Sequence, residues 1–160
     1  MYTLSKPFDR YKWNTFYLNL GQGIIYYISK NKIPYLKVEI DTNSWNTFNT
    51  EWFFEQYFCI GCGDMVYFID LETLNVKTCS CDLYFGYFYI YQKRLYIASD
   101  SKLFCFDENC ELLWQSECIA VDGVIVESIS EDCIVVSCEV DPPNHWVQCQ
   151  LSTYNGKKIG

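Results

Sequence analysis

The sequence predicts an all-β fold of four roughly 40-residue antiparallel β-units, and three observations carry that prediction. Short apolar runs recur at about ten-residue intervals with turn-forming residues between them. Aromatic residues, which suit a pleated and half-buried surface, make up 19% of the chain. One signature also returns four times: an apolar run ends in a small or acidic residue, and a polar turn follows. The four copies are Ile24-Ile25-Tyr26-Tyr27-Ile28-Ser29, Val66-Tyr67-Phe68-Ile69-Asp70, Leu103-Phe104-Cys105-Phe106-Asp107 and the weaker Val147-Gln148-Cys149-Gln150-Leu151-Ser152. Taking Ser29, Asp70, Asp107 and Ser152 as equivalent gives separations of 41, 37 and 45 residues. Periods of that size mark stacked or radial arrays of similar units.

Taken in order, strands are expected over 13–20, 23–29, 34–40, 52–60, 65–70, 74–79, 83–91, 94–99, 102–107, 111–116, 123–129, 132–139, 145–151 and 157–159. Gly21-Gln22-Gly23, Ser29-Lys30-Asn31-Lys32, Gln92-Lys93, Asp107-Glu108-Asn109 and Asp122-Gly123 supply polar tips between them. Asn155-Gly156 reads as a type I′ hairpin turn, because both residues tolerate positive φ. The run Tyr84–Tyr91 is apolar on both faces and reads as a central strand covered on both sides. Trp45, Phe48 and Trp52 fall at helical spacing with Ser44 as a capping residue, but the intervening Asn and Thr disfavour a helix. That stretch is read as an irregular connection or short helical turn. With no linker or low-complexity segment, the 160 residues are expected to form a single domain.

Four strands per unit is the layout of a propeller blade. The best copy runs Leu95-Tyr96-Ile97-Ala98-Ser99-Asp100-Ser101-Lys102-Leu103-Phe104-Cys105-Phe106-Asp107-Glu108-Asn109-Cys110-Glu111-Leu112-Leu113-Trp114. It resembles the repeat of quinoprotein-like (PQQ-type) β-propellers. The unit at 59–77 shares that pattern but has Leu74 where glycine is usual, and the last keeps Asn155-Gly156-Lys157 but inserts Asp141-Pro142-Pro143-Asn144-His145-Trp146. The resemblance implies architecture, either a small propeller or open, stacked and curved sheets. Quinone-dependent members of that family have many more blades, and no cofactor-ring residue can be matched here, so no cofactor is expected.

The net charge of −8 is uneven: residues 61–140 hold four Lys/Arg against fourteen Asp/Glu. Such an acidic middle repels phosphate backbones, which argues against nucleic acid as a partner. No apolar run approaches a membrane span, and the first thirteen residues lack the apolar core of a secretory signal. A cytoplasmic location is therefore expected, in which the ten cysteines are free thiols, mostly buried as compact hydrophobes.

Among chemistry-bearing groups, Cys59, Cys62, Cys79 and Cys81 approach a zinc-ribbon pattern. The Cys59-x-x-Cys62-Gly63 half has knuckle spacing, whereas the single residue between Cys79 and Cys81 does not. They are weak metal candidates, and buried thiols are the reading preferred. His145 is the sole histidine, so His-based metal sites and catalytic triads lack parts. Carboxylate pairs such as Glu108/Glu111 lie at hairpin tips, where acids are ordinarily solvated. No enzyme activity is expected.

The expected function is therefore a non-catalytic protein-binding module. A small, acidic, single-domain chain of this kind resembles bacterial immunity proteins, which implies a basic toxin as the protein partner. The contact residues expected are the acidic hairpin Asp107, Glu108 and Glu111 and the loop Asp141, His145 and Trp146, the last as an aromatic anchor. The alternatives are a carbohydrate- or small-molecule-binding sensor that uses the surplus rings, or a zinc-stabilised domain.

Overall fold

A signature residue that ends an apolar run must turn the chain, and the structure shows how it does so. In a computed structural model, which describes residues 1–42, 46 and 48–159, the strands form four separate sheets. The first is β1 (Tyr2–Leu4), β2 (Phe16–Leu20), β3 (Gly23–Lys30) and β4 (Ile33–Asp41), in spatial order β1-β3-β4-β2. The second is the meander β5 (Asn49–Phe54), β6 (Tyr57–Cys62), β7 (Met65–Asp70) and β8 (Val76–Ser80). The third is β9 (Phe85–Tyr91), β10 (Arg94–Ser99), β11 (Leu103–Phe106) and β12 (Leu112–Gln115). The fourth has three strands, β13 (Val124–Ile129), β14 (Cys133–Asp141) and β15 (His145–Ser152). The all-β class with four separate sheets holds, and every pairing except one is antiparallel. Backbone contacts divide the chain into two compact units, 1–47 and 48–160. The expected turn around Ser44 and Trp45 falls outside the described residues.

In the first unit, Tyr26, Ile28, Leu36, Val38 and Ile40 are buried on one face of β3 and β4. Their pairing is in register, Tyr26 against Val38 and Ile28 against Leu36. The other face stacks cations on rings: the Arg10 guanidinium lies 4.7 Å from the Tyr17 ring centre and the Lys37 ammonium 4.8 Å from it. A helical turn, α1 (Arg10–Trp13), displaces the start of the expected strand at 13. Asp9 caps it by accepting from the Tyr11 amide. The Gly21–Gly23 tip does not close a β2–β3 hairpin. β2 pairs in parallel with β4, so the chain steps across the end of β4, where Asp41 accepts from the Gln22 amide. A side chain at Gly21 would collide with Asp41, which is why glycine stands there.

The second unit is organised by β10 and β11. Leu95, Ile97, Phe104 and Phe106 point to one side, into a core shared with Phe54, Tyr57, Val66 and Phe68 of the second sheet. Tyr96, Ala98, Leu103 and Cys105 point to the other, into a core shared with Val124, Val126, Ile134, Val136 and Leu151 of the fourth. The two strands pair Leu95 with Phe106, Tyr96 with Cys105 and Ile97 with Phe104, so like-facing residues lie side by side. The doubly covered strands of this sheet are therefore β10 and β11. The Tyr84–Tyr91 run forms β9 instead, at the edge of its sheet. The run expected as one strand over 52–60 is folded back on itself: Phe54 pairs with Tyr57, and Glu55 turns the chain with φ 49°. β1 was not legible, and 157–159 forms only a bridge from Lys158 to Leu151.

Three of the four signature residues are turn caps. Asp70 accepts from the amides of Glu72 and Thr73 at 2.8 and 3.0 Å, Asp107 from those of Asn109 and Glu111 at 2.9 and 2.8 Å, and Ser152 from that of Tyr154 at 3.2 Å. The first copy turns differently, through Asn31 and Lys32, both with positive φ. Leu74 and Gly156 occupy one turn position, each donating its amide to the carbonyl of the signature residue four positions earlier. Their φ values are 62° and 69°. Asn155 keeps negative φ, so its turn is not type I′. The Trp114 ring packs where a Gly156 side chain would begin, at 2.5 Å.

Leu74 thus adopts left-handed backbone that an L side chain disfavours. Leu74→Gly is expected to leave the fold unchanged and raise stability by about 0.5–1 kcal/mol in urea unfolding. Gly156→Ala should lose more than that, because Trp114 must move. Equal effects of the two would show that the turns are not equivalent.

Asp70 tests the cap itself. Burial alone would raise its carboxyl, but the Thr73 and Glu72 amides and Gln56 outweigh it and hold the group below its ordinary value. A depressed carboxylate contributes stability above its unfolded pKa and loses it as pH falls through the folded value. Asp70→Ala should therefore cost about 1–2 kcal/mol at neutral pH, and the gap should shrink below about pH 4. A gap that persists unchanged near pH 2.5 (about 1.4 units below the ordinary carboxylate value) would show that the charge plays no part.

Candidate functional site

The edge position of β9 exposes one row of its side chains. Phe85 and Phe88 enter the core, whereas Tyr87 and Tyr89 stand beside each other with ring centres 5.8 Å apart. Across from them run Val124 and Ile125 of β13 and, from the start of β15, Trp146. Together with Tyr84 and Asp122 they line an open groove of about 470 Å³ whose wall and floor include Gly86, Ser99 and Gly123. Tyr87 is 47% exposed and Trp146 40%. Rings of that size left half in water at one place form an apolar patch of the kind that marks a recognition surface.

The rings are held by the frame. The Tyr84 hydroxyl donates to Asp122 Oδ1 at 2.8 Å, and the Tyr89 oxygen accepts from the Val126 amide at 3.3 Å. Gly123 is pinned by backbone bonds, its amide to the Asp100 carbonyl at 2.6 Å and its carbonyl to the Glu139 amide at 3.0 Å. A Cβ on Gly123 would lie 3.2 Å from Trp146 Cη2 and 3.7 Å from the Tyr84 hydroxyl oxygen. The absence of a side chain there lets the two rings close on the floor. A residue with φ of 134° would in any case be strained as anything but glycine.

Electrostatically the groove is one-sided. Burial pushes the Tyr84 hydroxyl up, helped by its bond to Asp122 and by the fields of Asp122, Asp100 and Glu139. Among the described residues none of those lining the groove is basic. Residues 48–160 as a whole carry six Lys/Arg against seventeen Asp/Glu.

Of the expected contact residues, Trp146 lines this groove, and Asp141 and His145 face each other at the turn end of the β14–β15 hairpin. The turn between them is tight, with the Asn144 amide donating to Glu139. The acidic hairpin borders a separate, polar depression with Gln92, Lys93, Arg94 and Leu113. Its carboxylates are engaged: Asp107 by turn amides, Glu108 by Lys93 at 3.6 Å, and Glu111 by Lys77. Tyr84, Tyr87, Tyr89, Asp122 and Gly123 were not anticipated. Their signal was the tyrosine at every second position of 87–91, which marks one face of a strand.

The four candidate thiols do not converge. Residues three apart on a strand face opposite sides, and Cys59 enters the core while Cys62 lies on the other face of β6. Cys59 interacts with Cys110, and Cys79 with Cys81. Among the described residues no three His, Cys, Asp or Glu side chains are grouped as metal ligands. Nor is any helix among them long and apolar enough to cross a membrane.

No protein-family model matches the chain, and no curated protein matches it. Among solved structures, the chain is similar to the crystal structure of the computationally designed Ika4 protein. The TM-score is 0.53 at 10% identity, over 69% of this chain and 68% of that one. At that identity the likeness concerns the fold alone.

Thiol accessibility gives a direct check on this arrangement. Cys118 is exposed, and Cys79 has a pKa lowered by the hydrogen bond from Cys81 against the opposing effect of burial. Burial pushes the Cys59 thiol well up and Cys105 up to about 11, while the Cys81 thiol is raised by its bond to Cys79 and by burial. Iodoacetamide with peptide mass mapping should modify Cys118 and Cys79 first and reach Cys59, Cys81 and Cys105 only on unfolding. Joint protection of Cys59, Cys62, Cys79 and Cys81, released together by a chelator, would instead indicate a shared metal.

Proposed function

We propose that this chain is a non-catalytic binding module that recognises another protein through the Tyr87–Trp146 groove. Its most concrete form is an immunity protein that holds a basic toxin inactive by occupying it. The observation that carries the reading is a cluster of half-exposed aromatic rings fixed on strands, within a unit bearing seventeen acidic side chains and six basic ones. Rigid aromatic anchors supply most of the energy of protein interfaces. A surrounding field of one sign speeds encounter with an oppositely charged partner and makes binding sensitive to salt. Trp146 joins the sequence expectation to the groove, whereas Glu108 and Glu111 are already paired with lysines.

The same rings also present stacking faces to a sugar, and the groove volume of about 470 Å³ suits a small ligand. That second reading differs in its salt dependence, because a neutral glycan gains nothing from the acidic field.

Co-expression with the product of the adjacent gene, at low salt, tests the proposal. A copurifying basic protein is expected, with its toxicity relieved and the complex weakened at about 0.5 M salt. Trp146→Ala should reduce capture by at least tenfold, a loss of about 1.4 kcal/mol or more. No complex and no relief of toxicity, together with salt-independent binding to a glycan array, would replace this reading with the second one.

A further inference from the structure

The groove combines π faces with nearby carboxylates that form no ion pair among the described residues. Asp122 stands at its rim, bonded to the Tyr84 hydroxyl. Behind it are Asp100, only 3% exposed, and Glu139, only 9% exposed. Asp100 accepts from the amides of Leu83 and Tyr84 at 3.2 and 3.4 Å, and Glu139 from that of Asn144. Backbone amides therefore stabilise these charges, and they leave the charge itself uncancelled.

Elsewhere, among the described residues, four acids are matched by lysines. Among the described residues the ion pairs are Lys37–Glu39, Lys77–Glu111, Lys93–Glu108 and Lys102–Asp82. None reaches Asp100, Asp122 or Glu139. Lys102 feels Asp100 only at longer range, its ammonium lying 2.8 Å from Asp82. One carboxylate, Asp122, thus lines the aromatic groove, and the fields of Asp100 and Glu139 reach the Tyr84 hydroxyl beside it.

We infer that this groove is the receptor for a single basic side chain, lysine or arginine, projecting from the protein partner. The inference rests on the protein-binding reading above and names the chemistry of its central contact. The cation would lie against the faces of Tyr87, Tyr89 and Trp146, with Asp122 accepting its hydrogen bond at the rim. Ring quadrupoles and a fixed negative field both favour a cation over a neutral group of the same shape, and an arginine gains most because its plane also stacks. A carboxylate or phosphate group would be repelled by the same field.

The probe is Nα-acetyl-arginine methylamide, titrated into the intact protein and followed by two-dimensional NMR, with the citrulline analogue as a neutral isostere. Saturable shifts are expected at the Trp146 indole and the Gly123 amide, with citrulline at least tenfold weaker. Asp122→Asn keeps the bond from Tyr84 and should fold normally, yet weaken the arginine probe about tenfold. Trp146→Leu should abolish the shifts while leaving the amide signals of β10 and β11 in place. Equal binding of citrulline, or shifts centred on Asp107 and Glu108, would overturn the inference.

Failure here is separable from failure of the protein-binding reading. A captured partner whose affinity is unchanged by Asp122→Asn would refute the cation receptor and leave the interaction standing. Selective arginine binding without any capturable partner would do the reverse.

Discussion

Everything in the 48–160 unit depends on the alternation of β10 and β11. Because successive side chains point to opposite faces, Leu95 and Ile97 feed one core while Tyr96 and Ala98 feed another, and Phe104, Phe106, Leu103 and Cys105 divide likewise. A strand buried on both sides cannot slip by one residue without exchanging every side chain between the two cores. Tyr96 is large and Ala98 small, so the exchange would overfill one layer and empty the other. Register here is fixed by volume as well as by hydrophobicity.

From that constraint follows the groove. Sheet three is covered fully over β10 and β11, but its edge strand β9 reaches beyond the cover. A register shift between Ala98 and Ser99 pairs Ala98 with Tyr87 and Ser99 with Phe85, leaving Gly86 between them. The bulge changes the alternation, so Phe85 and Phe88 both face the core although they are three apart. Gly86 sits tightly on the Ala98 carbonyl, where a Cβ would come within 2.8 Å. The tyrosines that follow are therefore set at an open edge by a packed interior rather than by a loop.

The fold was legible because its cause is local. Period-two runs, turn residues and the recurring Asp or Ser report directly on backbone pairing, and the recurring residue proves to be a cap in three of its four copies. What was misread involved one unmarked turn and one pairing at a distance. Glu55-Gln56 lacks the usual turn residues, so the chain's reversal there was hidden inside an apolar run. The Gly21–Gly23 tip does not join paired strands: β2 pairs in parallel with β4, a choice made by sheet order and not by Gly21 or Gly23. The groove was hidden for a related reason. Tyr87 and Tyr89 look the same in sequence whether β9 is central or at an edge, and only its neighbours decide which side stays open.

Charge distinguishes surface from site more sharply than composition does. In the acidic hairpin that stood out in the sequence, Glu108 meets Lys93 and Glu111 meets Lys77, while Asp107 is held by turn amides. Exposed pairs of this kind are worth little energetically, and they cancel much of the local field. Asp100 and Glu139 attract no notice in sequence, yet they are buried beside the groove and stabilised by amides alone. Low surrounding polarity makes their field longer-ranged than that of a solvated acid. A dense acidic stretch can thus be electrostatically quiet while two scattered, buried carboxylates set the character of a binding surface. In the proposed reading, the exposed tyrosines and Trp146 are the contact surface, and the carboxylates beside them select the kind of group it favours.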